Sequence, residues 1–282
     1  MKSPEARLFT HEAMHTTFQL RICGSSESHC RDMARECFEQ LDLLESKLSR
    51  FIEGSDIDRI NHMQAGETLY VSEACHQCLL IGLEAHGRTG GLFDITLGSR
   101  IEHQKSGDAG PLPQLVGRLS VHPDVAALSC ESPGRQIDLG GIGKGFALDQ
   151  LQQLLIEWGA EGGMLAAGAS SLLAFGPQAW PVDLVGETES TRITLQDAAL
   201  SASGTGIQGS HIVHPGGATA MPSTPCKRVW VTAASAALAE TWSTALMLLE
   251  PDNLRDFIVG DESLLSVHID RDGKIEIIHG SG

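Results

Sequence analysis

The chain has 282 residues, of which 41% are hydrophobic and 20% charged, and its formal net charge is −16. This composition indicates a globular protein with a substantial core, and the negative charge opposes general binding to a nucleic acid backbone. No apolar run reaches the roughly 18 residues of a membrane span, and the N-terminus lacks a secretory signal, so we expect a cytoplasmic protein.

Apolar periodicity predicts the elements of the first half of the chain. Residues 14–23 alternate in polarity as a strand does, and residues 28–51 carry apolar side chains every three or four positions, as an amphipathic helix does. Residues 72–88 are predicted as a second helix that ends near a pair of glycines. The polar segment 100–120, which contains glycines and prolines, is predicted as a loop.

Seven cysteines are scattered along the chain, and Cys75 and Cys78 form a single CxxC pair. A structural zinc site needs four ligands, and a redox pair needs a thioredoxin-like context. Because the sequence offers neither, we interpret the cysteines as free thiols, with the CxxC pair on the second helix.

Strands and helices are mixed in the second half. A strand at 136–140 leads into a helix over 145–158, and a strand at 228–233 leads into an apolar helix over 235–249. A segment rich in glycine, serine and proline, 202–223, is predicted as a loop. Short strands separated by glycines and polar residues are predicted at 163–167, 171–175, 181–185 and 191–195.

The chain closes with a predicted hairpin. A short helix begins at Pro251, and the segment LLSVHID-RDG-KIEII follows it, with Asp272-Gly273 as a good turn signal. The sequence shows no internal repeat and no clear linker. The mixture of strands and helices therefore predicts one α+β (mixed α/β) domain over residues 1–282.

The segment IDLGGIGKGFALDQL, residues 137–151, has features of a phosphate cradle. Its glycines let the backbone approach a ligand closely, and the first amides of the following helix favour an anion. Lys144 adds a positive charge. The GxxxxGK[ST] spacing of a Walker loop is absent, and tight packing of a strand on a helix would require the same glycines.

The segment GGLFDITLGS, residues 90–99, is predicted as a strand between glycine turns. Phe93, Ile95 and Leu97 would share one face, and Asp94 would lie on the other. The carboxylate is then either a group of the functional site or a cap of the strand.

Two histidines end the segment SASGTGIQGSHIVHP, residues 201–215. An imidazole titrates near neutral pH, so His211 or His214 could act as a general base. A solvated loop histidine is the simpler alternative for either residue.

The segment ALAETWSTAL, residues 237–246, places Glu240 and Thr244 four positions apart on one face of an apolar helix. A carboxylate and a hydroxyl at this spacing can offer two oxygens to a hard cation such as Mg²⁺. Alternatively, the glutamate lies near the helix start and the threonine bonds back to the helix.

The order of these segments resembles the ApbE family over roughly residues 12–250. The matching pieces are MHTTF at 14, ESKLSRFIEGSDIDRIN at 45–61, GGLFDITLGS, IDLGGIGKG, the HIVHP loop and AETWSTAL. The resemblance implies an FAD:protein FMN transferase whose antiparallel-rich sheet and packed helices hold FAD in a central cleft.

The resemblance also implies roles for individual residues. Those matching cofactor contacts are Met14, Phe51, Phe93, Asp94, Ile95, Asp138 and Lys144. The carbonyl of Gly141 with Glu240 and Thr244 matches a magnesium site. His211 matches the proposed base. Members of the family often carry an aspartate where this chain has Glu240. They also often carry an acid where this chain has His214, so the base could be either His211 or His214.

The implied reaction is Mg²⁺-dependent transfer of FMN from FAD to a serine or threonine hydroxyl of an acceptor protein, with release of AMP. The alternative is an ApbE-like protein that binds FAD, or hydrolyses it to FMN and AMP, without a protein acceptor. Glu240, Thr244 and His211 are the residues that distinguish these alternatives.

Overall fold

A computed structural model describes residues 6–24, 26–107, 110–204, 212–217, 220–224, 226–259 and 261–280. The strands are β1 Arg7–Ala13, β2 Thr16–Cys23, β3 Thr68–Tyr70, β4 Arg118–Val121, β5 Ala127–Ser132, β6 Gly162–Ala167, β7 Ser171–Phe175, β8 Trp180–Val185, β9 Ser190–Leu195, β10 Ala198–Gly204, β11 Arg228–Ala233, β12 Leu264–Arg271 and β13 Lys274–Gly280. The helices are α1 Glu27–Leu48, α2 Asp56–Asn61, α3 Glu73–Arg88, α4 Gly98–Ser106, α5 Gly143–Glu157, α6 Ala236–Leu246 and α7 Leu254–Ile258, with a 3₁₀ turn at Pro251–Asn253.

An eight-stranded sheet organises the chain, in the order β1-β2-β6-β7-β10-β11-β12-β13. Every neighbouring pair is antiparallel. Pairings such as Phe18 with Ala167 and Val231 with Val267 place fully buried side chains opposite one another. The predicted α+β class with an antiparallel-rich sheet is confirmed, and the single-domain assignment stays a prediction.

Helices α1, α5 and α6 cover one face of this sheet, where the main core lies. Ser26 caps the N-terminus of α1 by accepting the amide of His29 with its side chain, and the helix buries Met33, Cys37, Leu41 and Leu44 along one stripe. Burying this stripe is what holds the helix, because apolar burial contributes roughly 25 cal/mol per Å².

The other face of the sheet carries a smaller core under the two-stranded β8–β9 ribbon. Trp230 of β11 packs there with Leu184 and Leu195 of the ribbon and with Ala174 and Leu200 of the sheet. A separate three-stranded sheet, β3-β5-β4, lies beside the helices. No helix within the described ranges is long and apolar enough to cross a bilayer.

Two predicted strands are wrong, and both lie where the chain turns toward the site. In GGLFDITLGS the Asp94 Oδ1 accepts the amide and the hydroxyl of Thr96, which bends the chain into a turn. Residues 137–139 belong to no strand, and the segment contributes only a single isolated bridge, from Gln136 to Leu97.

Other boundaries also differ from the predictions. The predicted loop 100–120 contains most of α4 and the start of β4, and β10 extends into the predicted loop 202–223. The prediction missed β1, β3 and β5 as well. The cysteines are free and buried, and Cys75 and Cys78 lie on α3 as expected.

Candidate active site

Residues of the helices, of the main sheet and of the β8–β9 ribbon line a cavity of about 600 Å³. Its lining includes residues from Met14–Thr16, from Leu92–Asp94, from the glycine turn between Asp138 and Lys144, from β10 and β11 at Ser201–Gly204 and Trp230, and from α6 at Glu240 and Thr244. The sequence segments singled out above therefore meet at one cavity.

The glycine turn joins Asp138 to the first turn of α5. A Cβ at Gly141 would lie 3.0 Å from the Phe93 ring, so a side chain there would crowd the cavity wall. A Cβ at Gly145 would lie 2.4 Å from the carbonyl oxygen of Ala236, so this glycine lets α5 cross α6 closely. Gly145 thus serves the tight packing of α5 on α6, and the phosphate cradle stays a prediction.

Lys144 and Glu240 form an ion pair at the cavity wall. The ammonium lies 2.5 Å from Glu240 Oε1, and the amide of Gly145 donates to Oε2 at 2.6 Å. Glu240 is 5% exposed. Its negative charge lies at the N-terminus of α5, which the helix dipole favours, and its carboxylate is one of the groups that link α5 to α6.

Asp149 fixes the position of α6 from within α5. Its carboxylate accepts the hydroxyl of Ser235 at 2.7 Å and the amides of Ala236 and Ala237 at 2.7 and 2.9 Å. Burial raises the pKa of Asp149 above its usual value, and the two backbone hydrogen bonds oppose that rise. The sequence analysis missed this residue, although an acid four positions after Gly145 on a buried helix was a signal.

Thr244 lies one helical turn beyond Glu240 and also reaches the cavity. Its Oγ1 is 3.7 Å from the Cβ position of Gly141. Gly141, Glu240 and Thr244, the predicted ligand set, therefore all line this cavity. Within the described ranges, no group of three or more His, Cys, Asp or Glu side chains could hold a metal ion. One carboxylate with a hydroxyl and a carbonyl suits Mg²⁺, which commonly completes its shell with substrate phosphates and water.

Asp138 lies at the back of the cavity with its carboxylate engaged. Oδ1 accepts the amide of Gly140 at 2.8 Å, and Oδ2 accepts from Arg50 at 3.2 Å. The amide of Asp138 donates to the carbonyl of Ile95 at 2.8 Å. Asp138 is 8% exposed. It holds the turn together, and Arg50 is a second residue that the sequence analysis missed.

Three predicted cofactor contacts come from the turn before α4. Phe93 is buried against Gly141, and Asp94 lines the cavity with Oδ2 at 3.9 Å from Arg135. Ile95 is buried behind the wall, where its backbone meets Asp138. Ile95 therefore supports the wall and does not line the cavity.

The remaining predicted cofactor contacts differ in position. Met14 lines the cavity from the tight turn between β1 and β2, so the predicted strand 14–23 begins two residues later, at Thr16. Met14 and His15 both have positive φ, 50° and 56°, which is a strained conformation for such residues. Phe51 is 70% exposed and is not among the lining residues.

The two candidate bases fall at the edge of the described structure. His211 lies outside the described residues. His214 follows Ile212 and Val213, which line the cavity, and its Nδ1 accepts the amide of Gly216 at 2.9 Å. Burial lowers the pKa of His214. A neutral ring that accepts at Nδ1 carries its proton on Nε2.

Comparison with known proteins identifies similar sequences and folds. Residues 14–267 match the ApbE family. The FAD:protein FMN transferase of Klebsiella pneumoniae is 24% identical over 303 residues, which is 95% of this chain and 85% of that protein.

Two solved structures share the fold along nearly the whole chain. The flavin transferase ApbE from Vibrio cholerae is 20% identical, with a TM-score of 0.82 over 98% of this chain and 97% of that one. The ApbE protein from Thermotoga maritima is 22% identical, with a TM-score of 0.82 over 96% of each chain.

Proposed function

This chain belongs to the ApbE family, and we propose that it transfers FMN from FAD to a serine or threonine hydroxyl of an acceptor protein, with release of AMP. One observation carries the proposal. The cavity brings a glycine turn with its lysine against a helix that offers a carboxylate and a hydroxyl. Similarity to the FAD:protein FMN transferase of Klebsiella pneumoniae supports the choice of substrate.

The glycine turn and α5 would bind the pyrophosphate of FAD. The dipole of α5 favours an anion at the N-terminus of the helix, where the amides of Gly143 and Gly145 already donate to the Leu139 carbonyl and to Glu240. Lys144 would move from Glu240 to the pyrophosphate, since a phosphate anhydride carries more negative charge than one carboxylate. The ion pair in the free protein therefore holds Lys144 ready for a stronger partner.

Glu240, Thr244 and the carbonyl of Gly141 would hold a Mg²⁺ ion. When bound, the ion would neutralise phosphate charge and polarise the phosphoryl group that is attacked. Glu240 already makes two hydrogen bonds, to Lys144 and Gly145. The departure of Lys144 would free one carboxylate oxygen, so the pyrophosphate and the metal would bind in a mutually supportive way.

The reaction itself is a phosphoryl transfer. The acceptor hydroxyl oxygen forms a bond to the FMN-side phosphorus, the bond from that phosphorus to the bridging oxygen breaks, and AMP leaves with this oxygen. A base takes the hydroxyl proton. His214 is poorly suited because its Nδ1 lone pair is occupied and its Nε2 carries the proton. This favours His211 as the base.

The choice between the histidines can be tested with a matched pair of variants. We expect His211→Asn to lower kcat by about a hundredfold, as loss of a general base does, and His214→Asn to change it less than threefold. A larger loss for His214→Asn than for His211→Asn would reverse the assignment.

The function is tested by incubating the protein with FAD and Mg²⁺, with and without a peptide carrying an Asp-Ser/Thr-Gly-Ala-Thr/Ser sequence. We expect the peptide to gain the mass of FMN while one AMP is released for each peptide labelled. If AMP is released but neither the peptide nor any protein acceptor gains FMN, the protein hydrolyses FAD. Binding of FAD without any AMP would contradict a transferase.

A further inference from the structure

Arg50 lies between α1 and α2 and is largely buried, with a side chain 11% exposed. Its guanidinium makes four hydrogen bonds to groups far away in the sequence. Nη1 donates to the Gly98 carbonyl at 2.9 Å and to Asp138 Oδ2 at 3.2 Å. Nη2 donates to Glu102 Oε2 at 2.9 Å and to Gln136 Oε1 at 3.3 Å.

These acceptors belong to two different walls of the cavity. Gly98 and Glu102 lie on α4, which brings Ile101 to the cavity, and Gln136 and Asp138 lead into the glycine turn. Two backbone hydrogen bonds also join these segments, from the amide of Gly98 to the carbonyl of Gln136 at 2.9 Å and from the amide of Asp138 to the carbonyl of Ile95 at 2.8 Å.

The space between the walls is shaped around the guanidinium. A Cβ on Gly98 would lie 2.8 Å from Arg50 Nη1 and 2.8 Å from the Gln136 carbonyl oxygen. The chain therefore needs a glycine at this point of α4, although its backbone there is ordinary. Because Gly98 has no side chain, the guanidinium of Arg50 can contact both walls.

We propose that Arg50 is a positioning residue for FAD, acting as a clamp that fixes the two cavity walls relative to one another. Its effect reaches the glycine turn through Asp138, whose other oxygen holds the amide of Gly140. The inference rests on the proposed function, because it assigns the clamped cavity to FAD. Arg50 itself does not line the cavity.

An arginine is required for this geometry. A planar guanidinium presents five donors in fixed directions and can contact acceptors on two sides at once, whereas a lysine ammonium is a single compact charge on a flexible stem. Arg50→Lys keeps the charge beside Asp138 and Glu102. It removes the ability to contact all four acceptors together, so this variant distinguishes the clamp from a role in which Arg50 only neutralises charge.

The first test compares FAD binding by Arg50→Lys and by a matched control, Arg59→Lys. Arg59 also pairs with a buried aspartate, since its Nη1 lies 3.3 Å from Asp56 Oδ1, but neither residue lines the cavity. We expect the dissociation constant of FAD to rise about tenfold in Arg50→Lys, as expected for lost charge-assisted hydrogen bonds, and to stay within about twofold in the control.

The steady-state constants distinguish positioning from a general loss of structure. The clamp predicts a higher KM for FAD in Arg50→Lys with kcat changed much less, because the groups that react are intact. A lower kcat with unchanged KM, or an equal rise in the dissociation constant for Arg59→Lys, would overturn the proposal.

The second test needs no flavin. Amide hydrogen exchange is measured on the free protein for residues 93–101 and 136–143. The clamp predicts faster exchange in both segments of Arg50→Lys, and in neither segment of Arg59→Lys. Exchange changed only next to residue 50 would overturn the clamp. If the unaltered protein does not bind FAD while both segments loosen as predicted, the clamp stands and the proposed function fails.

Discussion

Two ion pairs flank the glycine turn, and they differ in what their cations can do. Arg50 lies behind the cavity and Asp138 at its back wall, with side chains 11% and 7% exposed, and the guanidinium has four acceptors. Lys144 and Glu240 lie at the wall, with side chains 23% and 6% exposed, and the ammonium contacts the carboxylate alone among the hydrogen bonds described.

The difference suggests a division of roles within one short segment. A cation with four acceptors loses much if it moves, so the Arg50 pair suits a fixed part of the cavity. A cation with one acceptor at a cavity wall can exchange that acceptor for an anionic ligand when another cation compensates the carboxylate that it leaves. The ion pair of Arg50 with Asp138 thus suits a structural role, and the ion pair of Lys144 with Glu240 suits ligand binding.

Substitution of Glu240 should have the largest effect. Glu240→Ala removes the carboxylate proposed to hold Mg²⁺, so we expect Mg²⁺-dependent turnover to fall by about a thousandfold. FAD binding should survive in part, because Lys144 remains. Glu240→Asp is the control and should keep far more activity. Full Mg²⁺-dependent turnover in Glu240→Ala would show that the metal assignment is wrong.

Substitution of Lys144 should separate FAD from riboflavin. Lys144→Met removes the cation proposed to contact the pyrophosphate, so we expect the dissociation constant of FAD to rise by about tenfold to a hundredfold. Riboflavin has no pyrophosphate, and its affinity should change little. The measurement is a fluorescence titration with each flavin, and equal losses for both flavins would contradict the phosphate cradle.

Substitution of Asp138 should give a smaller and less selective effect. Asp138→Asn keeps an oxygen for the amide of Gly140 but weakens the ion pair with Arg50. Because this pair shapes the walls, we expect FAD and riboflavin affinities to fall alike, by about threefold to fivefold. A loss confined to FAD would make Asp138 similar to Lys144 and remove the contrast between the two pairs.

The dependence of stability on alkaline pH tests whether the buried thiols or the ion pair of Lys144 with Glu240 controls stability at high pH. Burial raises the pKa of Cys37 and of Cys75 to about 12. Above roughly pH 8.5 the unfolded thiols lose protons that the folded ones keep, so stability falls as pH rises, by about 1 kcal/mol per thiol per pH unit.

Urea unfolding at pH 8, 9 and 10 measures this slope. Cys37→Ala should make it shallower, and Lys144→Met should leave it nearly unchanged between pH 8 and 10. If Lys144→Met changes the slope and Cys37→Ala does not, the ion pair, and not the thiols, governs alkaline stability.

Local pattern predicted those parts of the molecule that depend on local spacing. Helices α1, α3 and α5 follow from their apolar stripes, and the separation of four residues placed Glu240 and Thr244 on one face of α6, where both line the cavity. Strand β10 was largely missed because its alternation is carried by alanine, serine and glycine, which also compose loops.

The partners that complete the site are distant in sequence and could not be predicted this way. Arg50 and Asp138 are 88 positions apart, and no local spacing connects them. The turn at Phe93–Thr96 resembled a strand because Phe93 and Ile95 are both buried, although in a turn that the Asp94 side chain closes. Tertiary contacts therefore decided the outcome at Arg50 and Asp138, and a local side-chain turn decided it at Phe93–Thr96.

The exchange of Lys144 between Glu240 and the pyrophosphate is tested most directly by titrating Mg²⁺ into the free protein, without FAD, by calorimetry. If Lys144 competes with the metal for Glu240, Lys144→Met should bind Mg²⁺ about fivefold to tenfold more tightly than the unaltered protein. Unchanged or weaker binding would mean that Lys144 and the metal do not share the carboxylate, which would contradict the exchange.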